Sequence, residues 1–172
     1  MNKILYAFAL AGVLGLSSCS DFLDQTSPSE MTAENTYASP YYTNLRVNKL
    51  YGGMAQDRTY AQDLSIVWNL NSDCELIDGL GSNATNTSSE RGNMNYNMDP
   101  GWSKISGVWD AEYGIIEDAN QIIEGIRSSA TLTAGGANQK SMERSLGEAL
   151  TIRAMVYFDL VRIFGDIPFK VE

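Results

Sequence analysis

The chain has 172 residues, of which 21 are acidic and 12 are basic, so its net charge is −9. A surface this acidic repels nucleic acid, and we therefore exclude nucleic-acid binding as a function. The chain also contains no histidine. That absence excludes Ser-His-Asp and Cys-His catalysis and the usual zinc sites, so we expect neither a metal nor a cofactor.

The N-terminus carries the pattern of an exported lipoprotein. A charged start, Met1-Asn2-Lys3, precedes an apolar run from Ile4 to Leu16, and Ser17-Ser18-Cys19 follows. The run is shorter than the roughly 20 residues that a membrane-spanning helix needs. We therefore predict a signal peptide over residues 1–18 and lipid attachment to the Cys19 thiol. An ordinary signal peptide followed by a chance cysteine is the alternative.

The next part of the chain predicts a tether and then helices. Residues 19–36 are polar and lead as a tether into a folded part, residues 37–172. Ser39-Pro40 pairs an N-cap residue with proline at the first helical position, which predicts a helix that Gly52-Gly53 ends. Asp63 to Leu70 is apolar and aromatic, and its short length leaves helix and extended strand equally open.

A long loop is predicted from Asp78 to Asp99, where Gly, Ser, Asn and Thr dominate and aliphatic residues are nearly absent. Loops longer than about 12–15 residues are usually functional or disordered. We therefore treat this segment as the first place to look for ligand contacts.

Two long amphipathic helices are the strongest structural prediction. Asp99-Pro100 predicts the start of the first, over residues 100–127. Its apolar residues recur at three- and four-residue spacing: Ile105, Val108, Trp109, Ile115, Ile116, Ala119, Ile122, Ile123 and Ile126. The second covers residues 139–164 and ends at Gly165, shortly before Pro168. A short turn joins them, so we expect antiparallel packing.

Several polar and aromatic residues of these helices have a structural and a functional interpretation. Arg153 falls on the apolar face of the second helix, and a buried arginine needs a partner. We expect an ion pair with a carboxylate of the first helix, from Asp110, Glu112, Glu117 or Asp118. For Asn120 we expect a hydrogen bond to a neighbouring helix or loop backbone. Ligand contact is the alternative for both, and Trp109 and Tyr113 are interpreted as core residues.

Three motifs together carry a family resemblance. The run Gly147–Pro168 (GEALTIRAMVYFDLVRIFGDIP) resembles the hallmark helix of the SusD/RagB family, the outer-membrane nutrient-binding lipoproteins of Bacteroidetes. The upstream pattern Trp109-x3-Tyr113 with Ala119-Asn120-x-Ile122-Ile123 is similar to that family. So is the start, Cys19-Ser20-Asp21-Phe22-Leu23-Asp24.

The resemblance implies an all-α fold of tetratricopeptide-like helical hairpins with long irregular loops. It implies a lipoprotein anchored at the outer-membrane surface through Cys19. Such a protein captures glycans or other nutrients for a SusC-like TonB-dependent transporter. Family members are roughly three times longer, so this chain resembles the N-terminal part of the fold, with one hairpin at residues 100–127 and 139–164.

The resemblance also directs attention to the loop. In the family's starch binder, part of the aromatic arc that binds glycan comes from the region corresponding to residues 76–100. Here that region has no tryptophan, and Tyr96 is the only aromatic residue of the loop, which puts starch itself in doubt. Candidates for ligand contacts are Asp78, Asn83, Asn86, Arg91 and Tyr96. An ordinary solvated loop is the alternative for each.

Two other functions remain as alternatives. A surface glycosidase would use two carboxylates, and Glu148, Asp159 and Asp166 are the residues it could offer. They lie on or after one helix, where acidic residues are usually solvated or paired, so we expect a binding protein and not an enzyme. A structural lipoprotein that scaffolds an envelope complex is the second alternative.

Overall fold

A computed structural model of the chain describes residues 31–69, 72–73 and 100–171. The helices are α1 (Ala33–Ala38), α2 (Pro40–Met54), α3 (Asp63–Asn69), α4 (Ser103–Ser128) and α5 (Gly136–Phe164), with a short 3-10 helix, Ala130–Thr133, between the last two. No strand occurs in these described ranges, which confirms the predicted all-α class. All five α-helices belong to one compact unit that begins at Ala33.

Several predictions fall wholly or partly outside the described residues. They are the signal peptide at 1–18, Cys19, most of the tether at 19–36 and the loop at 78–99. The predicted end of the tether, residue 36, falls inside helix α1. Within the described part of the chain, no helix combines the length and the apolar character needed to cross a bilayer.

Helices α4 and α5 form an antiparallel hairpin, as predicted. Trp109, near the start of α4, packs edge-to-face on Phe164 at the end of α5, with 4.9 Å between ring centroids. Farther along α4, Asn120 meets Arg153 at 2.7 Å. The later residue of α4, Asn120, thus contacts the earlier residue of α5, Arg153, so the two helices run antiparallel. The 3-10 helix closes the turn between them.

The core lies between this hairpin and α2. It is built from aliphatic side chains that are nearly or completely buried: Val47 and Leu50 of α2, Ile115, Ile116, Ala119, Ile122, Ile123 and Ile126 of α4, and Met142, Ala149, Ile152, Val156 and Leu160 of α5. Burying one such large aliphatic side chain contributes about 1.5–3 kcal/mol. Helix α2 therefore covers one side of the hairpin, and Tyr37 of α1 closes the end of the same core.

The other side of α5 is not covered within the described structure. Phe158 is 61% exposed there, and Val161 is also exposed. This side of α5 therefore presents apolar side chains that nothing in the described part of the chain covers.

The predicted end of α2 at Gly52-Gly53 is wrong, because the helix continues to Met54. A Cβ atom on Gly53 would lie 3.1 Å from Ile115 Cγ1. The glycine therefore allows α4 to approach closely and does not stop the helix. The end is set instead by the Thr59 hydroxyl, which lies 2.7 Å from the carbonyl oxygen of Met54.

The starts of the two long helices also differ from prediction. Helix α4 begins at Ser103 and not at Pro100, because Trp102 is buried in extended conformation just before it. Helix α5 begins at Gly136 and not at Gln139. The Gln139 side chain accepts a hydrogen bond from the Gly135 backbone N–H at 3.0 Å, so it supports the turn from inside the helix.

Two further predictions have clear outcomes. For the segment from Asp63 to Leu70 the sequence left helix and strand open, and the structure shows a helix, α3, from Asp63 to Asn69. Helix α5 ends at Phe164, and the next residue, Gly165, adopts a φ of 74°. That left-handed backbone favours glycine, so the predicted end of α5 is confirmed.

Gly125 and Gly114 of α4 provide a matched test of this packing. A Cβ atom on Gly125 would lie 2.1 Å from the Tyr37 ring, whereas one on Gly114 would meet nothing within 4 Å. Alanine gains about 0.5–1 kcal/mol over glycine in a helix at either position. We expect Gly114→Ala to stabilise the fold, and Gly125→Ala to destabilise it by about 1–3 kcal/mol, because the buried ring must move. Urea unfolding of both variants measures the difference, and equal midpoints would contradict the packing of α1 on α4.

Candidate functional site

The predicted ligand contacts Asp78, Asn83, Asn86, Arg91 and Tyr96 all lie outside the described residues. The structure does describe the base of the segment that contains them, which is the end of α3 at Asn69 and the entry to α4 at Trp102.

The two sides of this base are held together. Leu64 and Val67 of α3 pack with Trp102 and Val108 in a second apolar cluster, separate from the main core. The Lys104 ammonium group lies 2.6 Å from the Asp63 carboxylate, and both side chains are largely buried. The chain that leaves α3 thus returns to a place fixed against α3, so the long segment has a defined base.

An aromatic layer connects the base to α5. The Tyr60 and Trp68 rings meet edge-to-face, with 6.2 Å between their centroids. The Arg162 guanidinium of α5 lies 5.0 Å from the centre of the Trp68 ring, within the range of a cation–π contact. The Trp68 ring nitrogen is buried and has no hydrogen-bond partner in the part of the chain that is described.

Beneath this layer lies a buried pair of carboxyl groups, Glu112 of α4 and Asp159 of α5. The Tyr60 hydroxyl donates a hydrogen bond to Asp159. Glu112 is completely buried, and among the described residues neither of its carboxyl oxygens has a hydrogen-bond partner. A buried, unpaired carboxylate is costly, so the neutral acid is favoured.

The proton balance of the pair follows from these surroundings. Burial, together with the charge of Asp159, raises the pKa of Glu112 to about 8. Burial also raises the pKa of Asp159, while the hydrogen bond from Tyr60 and the charge of Arg162 act in the opposite direction. Glu112 is therefore mostly protonated at neutral pH.

The two other carboxylates of the glycosidase alternative lie elsewhere. Glu148 pairs with Arg144 at 2.9 Å along α5, and Asp166 is exposed after the helix end. Asp159 is buried under Tyr60. The described residues contain no group of three or more His, Cys, Asp or Glu side chains able to hold a metal ion.

Arg153 and Asn120 hold the segment that follows α5. The Arg153 guanidinium donates to the Asn120 side-chain oxygen at 2.7 Å and to the Val171 carbonyl at 3.3 Å. The Asn120 amide donates to the Lys170 carbonyl at 3.2 Å, a loop-backbone contact of the kind expected for it. The Tyr157 hydroxyl accepts from the Lys170 N–H at 2.7 Å. These polar groups fix residues 165–171 against the hairpin.

This arrangement corrects the expected ion pair of Arg153. In the described structure its partner on α4 is the neutral amide of Asn120, and not Asp110, Glu112, Glu117 or Asp118. Glu112 is completely buried, and Asp118 pairs with Lys49 of α2 at 2.7 Å.

Trp109 and Tyr113 pack at the edge of the core. Their rings lie 4.8 Å apart, and Trp109 also packs on Phe164. The Tyr113 hydroxyl donates to the Pro168 carbonyl at 2.7 Å. Both side chains are half-buried and engaged, which agrees with their interpretation as core residues.

A set of exposed aromatic residues on α2 was missed in the sequence. Tyr41, Asn44, Asn48 and Tyr51 recur at i, i+3, i+7 and i+10, which places them on one side of α2, and both tyrosines are exposed there. We call these four residues the α2 tyrosine face, and the exposed Tyr42 lies beside Tyr41. A helical projection could have grouped them, but it could not say which side of α2 the hairpin leaves uncovered.

Comparison with known proteins identifies a family. The SusD-like family model described as "Starch-binding associating with outer membrane" matches residues 21–172. SusD-like protein P2 of Formosa agariphila is 28% identical over 170 residues, which is 98% of this chain and 31% of that protein. SusD-like protein P25 of the same organism is 23% identical over 180 residues, or 99% of this chain and 31% of that protein.

A SusD-like protein of Bacteroides ovatus is 30% identical over 63 residues, which is 37% of this chain and 11% of that protein. The chain thus spans about a third of the length of the Formosa relatives. No solved structure matches it.

The buried Glu112 predicts a pH-dependent stability. Its pKa of about 8 in the folded chain exceeds its ordinary value of 4.5. The stability that Glu112 contributes is therefore fully present below about pH 4.5 and is lost as the pH rises through 8. Over this range the free energy of unfolding falls by at most about 1.4 kcal/mol per pH unit. Glu112→Gln keeps the shape and cannot ionise. We expect this variant to be more stable than the wild type at pH 8–9 and to lose that advantage towards pH 5.

Urea unfolding at several pH values measures this effect. Asp110→Asn, on the exposed side of the same helix, is the matched control and should follow the wild-type profile. Parallel pH profiles for Glu112→Gln and the wild type would contradict a buried, neutral Glu112.

Proposed function

The chain belongs to the SusD-like family, and on that premise we propose that the protein captures a glycan at the outer-membrane surface. It then delivers the ligand to a SusC-like TonB-dependent transporter for uptake. The observation that carries this proposal is the family match over residues 21–172, in a family described as starch-binding and associated with the outer membrane. The described helices form a packed scaffold around one core, which is compatible with a binding protein.

Anchoring in this proposal depends on Cys19. The signal peptide at 1–18 directs export, the Cys19 sulfur carries the lipid, and residues 19–36 separate the folded part from the membrane. Each buried methylene of an acyl chain contributes about 0.8 kcal/mol, so two or more chains hold a protein firmly.

Ligand contact is assigned to the segment between α3 and α4, through Asp78, Asn83, Asn86, Arg91 and Tyr96. Planar amide, carboxylate and guanidinium groups suit sugar hydroxyls, and an aromatic ring suits the apolar face of a sugar. The fixed base at Asp63 and Lys104 supports this assignment. Fixed ends reduce the conformational entropy that a ligand-contacting segment loses on binding.

A polysaccharide panel tests the proposal directly. The full-length protein is titrated with soluble starch, xylan, laminarin, mannan and pectin in a calorimeter. We expect it to bind at least one of them. Tyr96→Ala should weaken that binding by about two- to tenfold through the loss of one ring contact, and Tyr96→Phe, which keeps the ring, should retain it. Failure to bind every member would contradict glycan capture and favour a scaffold role.

The anchor has its own test. Cys19→Ser removes the sulfur that takes the lipid, so we expect the variant to leave the outer-membrane fraction. Ser20→Ala, one residue later, is the matched control and should remain there. Fractionation with immunoblotting measures both, and a Cys19→Ser protein that still sediments with the outer membrane would rule out this anchor.

A further inference from the structure

The α2 tyrosine face exposes aromatic area that the fold does not use. Tyr41 is 67% exposed and Tyr51 is 48% exposed. The opposite side of the same helix supplies the buried Thr43, Val47 and Leu50. Removing the tyrosine rings would therefore leave the core of the described helices intact.

The rings form an extended surface and not a single patch. Tyr41 and Tyr51 are ten residues apart on one helix, which corresponds to about 15 Å along its axis. The Tyr41 and Tyr42 rings stand edge-to-face, with 5.3 Å between centroids. Gly52 adds no side chain beside Tyr51, and the space above it is open. A long, narrow ligand could lie along this side of the helix.

Neutral polar groups lie between the rings. The Asn48 amide donates to the Asn44 side-chain oxygen at 3.4 Å, and this single bond leaves most of the bonding capacity of both amides available. At the far end the Tyr51 hydroxyl donates to Glu148 at 3.3 Å, and Arg144 fixes that carboxylate at 2.9 Å. The surface thus alternates rings with planar hydrogen-bonding groups.

The ionic groups beside this surface contact neighbouring side chains. Lys49 bonds Asp118 of α4 at 2.7 Å, Glu148 pairs with Arg144 at 2.9 Å, and the Arg46 guanidinium donates to the neutral Gln121 amide of α4 at 3.4 Å. Leu45, beside the face, is an exposed aliphatic residue, whereas the core of a protein-docking patch is predominantly apolar. Rings with neutral amides between them suit a neutral, polyhydroxylated ligand.

We propose that the α2 tyrosine face is a second glycan-contacting surface, which binds a continuing stretch of a neutral polysaccharide held elsewhere on the protein. The inference rests on the proposed glycan capture. Two contact regions on one polymer chain act together, so the second raises the apparent affinity for long chains much more than for short ones.

The test compares long and short ligands on the full-length protein. The probe is the polysaccharide that the wild type binds from the panel of starch, xylan, laminarin, mannan and pectin, and its trisaccharide. We expect Tyr41→Ala/Tyr51→Ala to weaken polysaccharide binding about tenfold and to leave trisaccharide binding unchanged. Tyr41→Phe/Tyr51→Phe keeps both rings and should bind the polysaccharide like the wild type.

Phe158→Ala is the matched control, because Phe158 is similarly exposed, at 61%, but lies on α5. It should not change polysaccharide binding. Because the substituted tyrosines are exposed, the melting temperature should stay within a few degrees of the wild type.

The failures of the two proposals are distinguishable. A wild type that binds no polysaccharide overturns glycan capture and this inference together. A wild type that binds, with an alanine double variant of equal affinity, overturns this inference alone. A double variant that changes only self-association or recovery with a transporter would show a protein-docking face and would also overturn it.

Discussion

The packing of α4 against α5 is the contact on which the rest of the described structure depends. Exposing the isoleucine side chains of α4 to water is unfavourable, and α5 covers only part of them. Helix α2 supplies Val47 and Leu50 to close the remaining side. Helix α3 joins through Val108 of α4, and residues 165–171 are held by polar groups of both long helices. Each smaller element is therefore placed by the hairpin.

The same interface contains a buried carboxyl group, which is unfavourable when it is charged. Glu112 is buried between the long helices with no hydrogen-bond partner among the described residues, and it is tolerated because it holds its proton at neutral pH. Asp159 keeps a hydrogen bond from Tyr60, next to the Trp68 ring. This polar cluster lies under the base of the 70–99 segment. The base of the region expected to contact ligand therefore adjoins buried polar groups of the long helices.

The hairpin could be predicted because its signal is redundant. Nine apolar residues at helical spacing in α4 fix a face even if one or two are misjudged, and Gly165 ends α5 with a backbone angle that favours glycine. Gly52 and Gly53 also looked like a helix end in the sequence, but these glycines do not end α2. Gly53 makes room for Ile115, a tertiary contact that no local pattern contains.

Other features depend on which surfaces meet. The partner of Arg153 could not be chosen among nearby side chains by spacing alone, and the amide of Asn120 took the place of a carboxylate. The burial of Glu112 and the exposure of Tyr41 follow from where α2, α3 and α5 pack on α4. For the candidate site, the sequence pointed to residues 78–99, and the structure adds the ion pair between Asp63 and Lys104 at the base of that segment. The sequence could not predict this pair, because it left open whether the chain after Asp63 forms a helix or a strand.

Hydrogen exchange of the full-length protein, with and without a bound polysaccharide, tests the central claim most directly. The account predicts that amides of α4 and α5 exchange slowly in both states, and that amides within residues 78–99 become protected when ligand binds. Ligand binding that leaves residues 78–99 unchanged, or that protects α4 and α5 instead, would contradict a ligand-binding segment supported by a preformed helical scaffold.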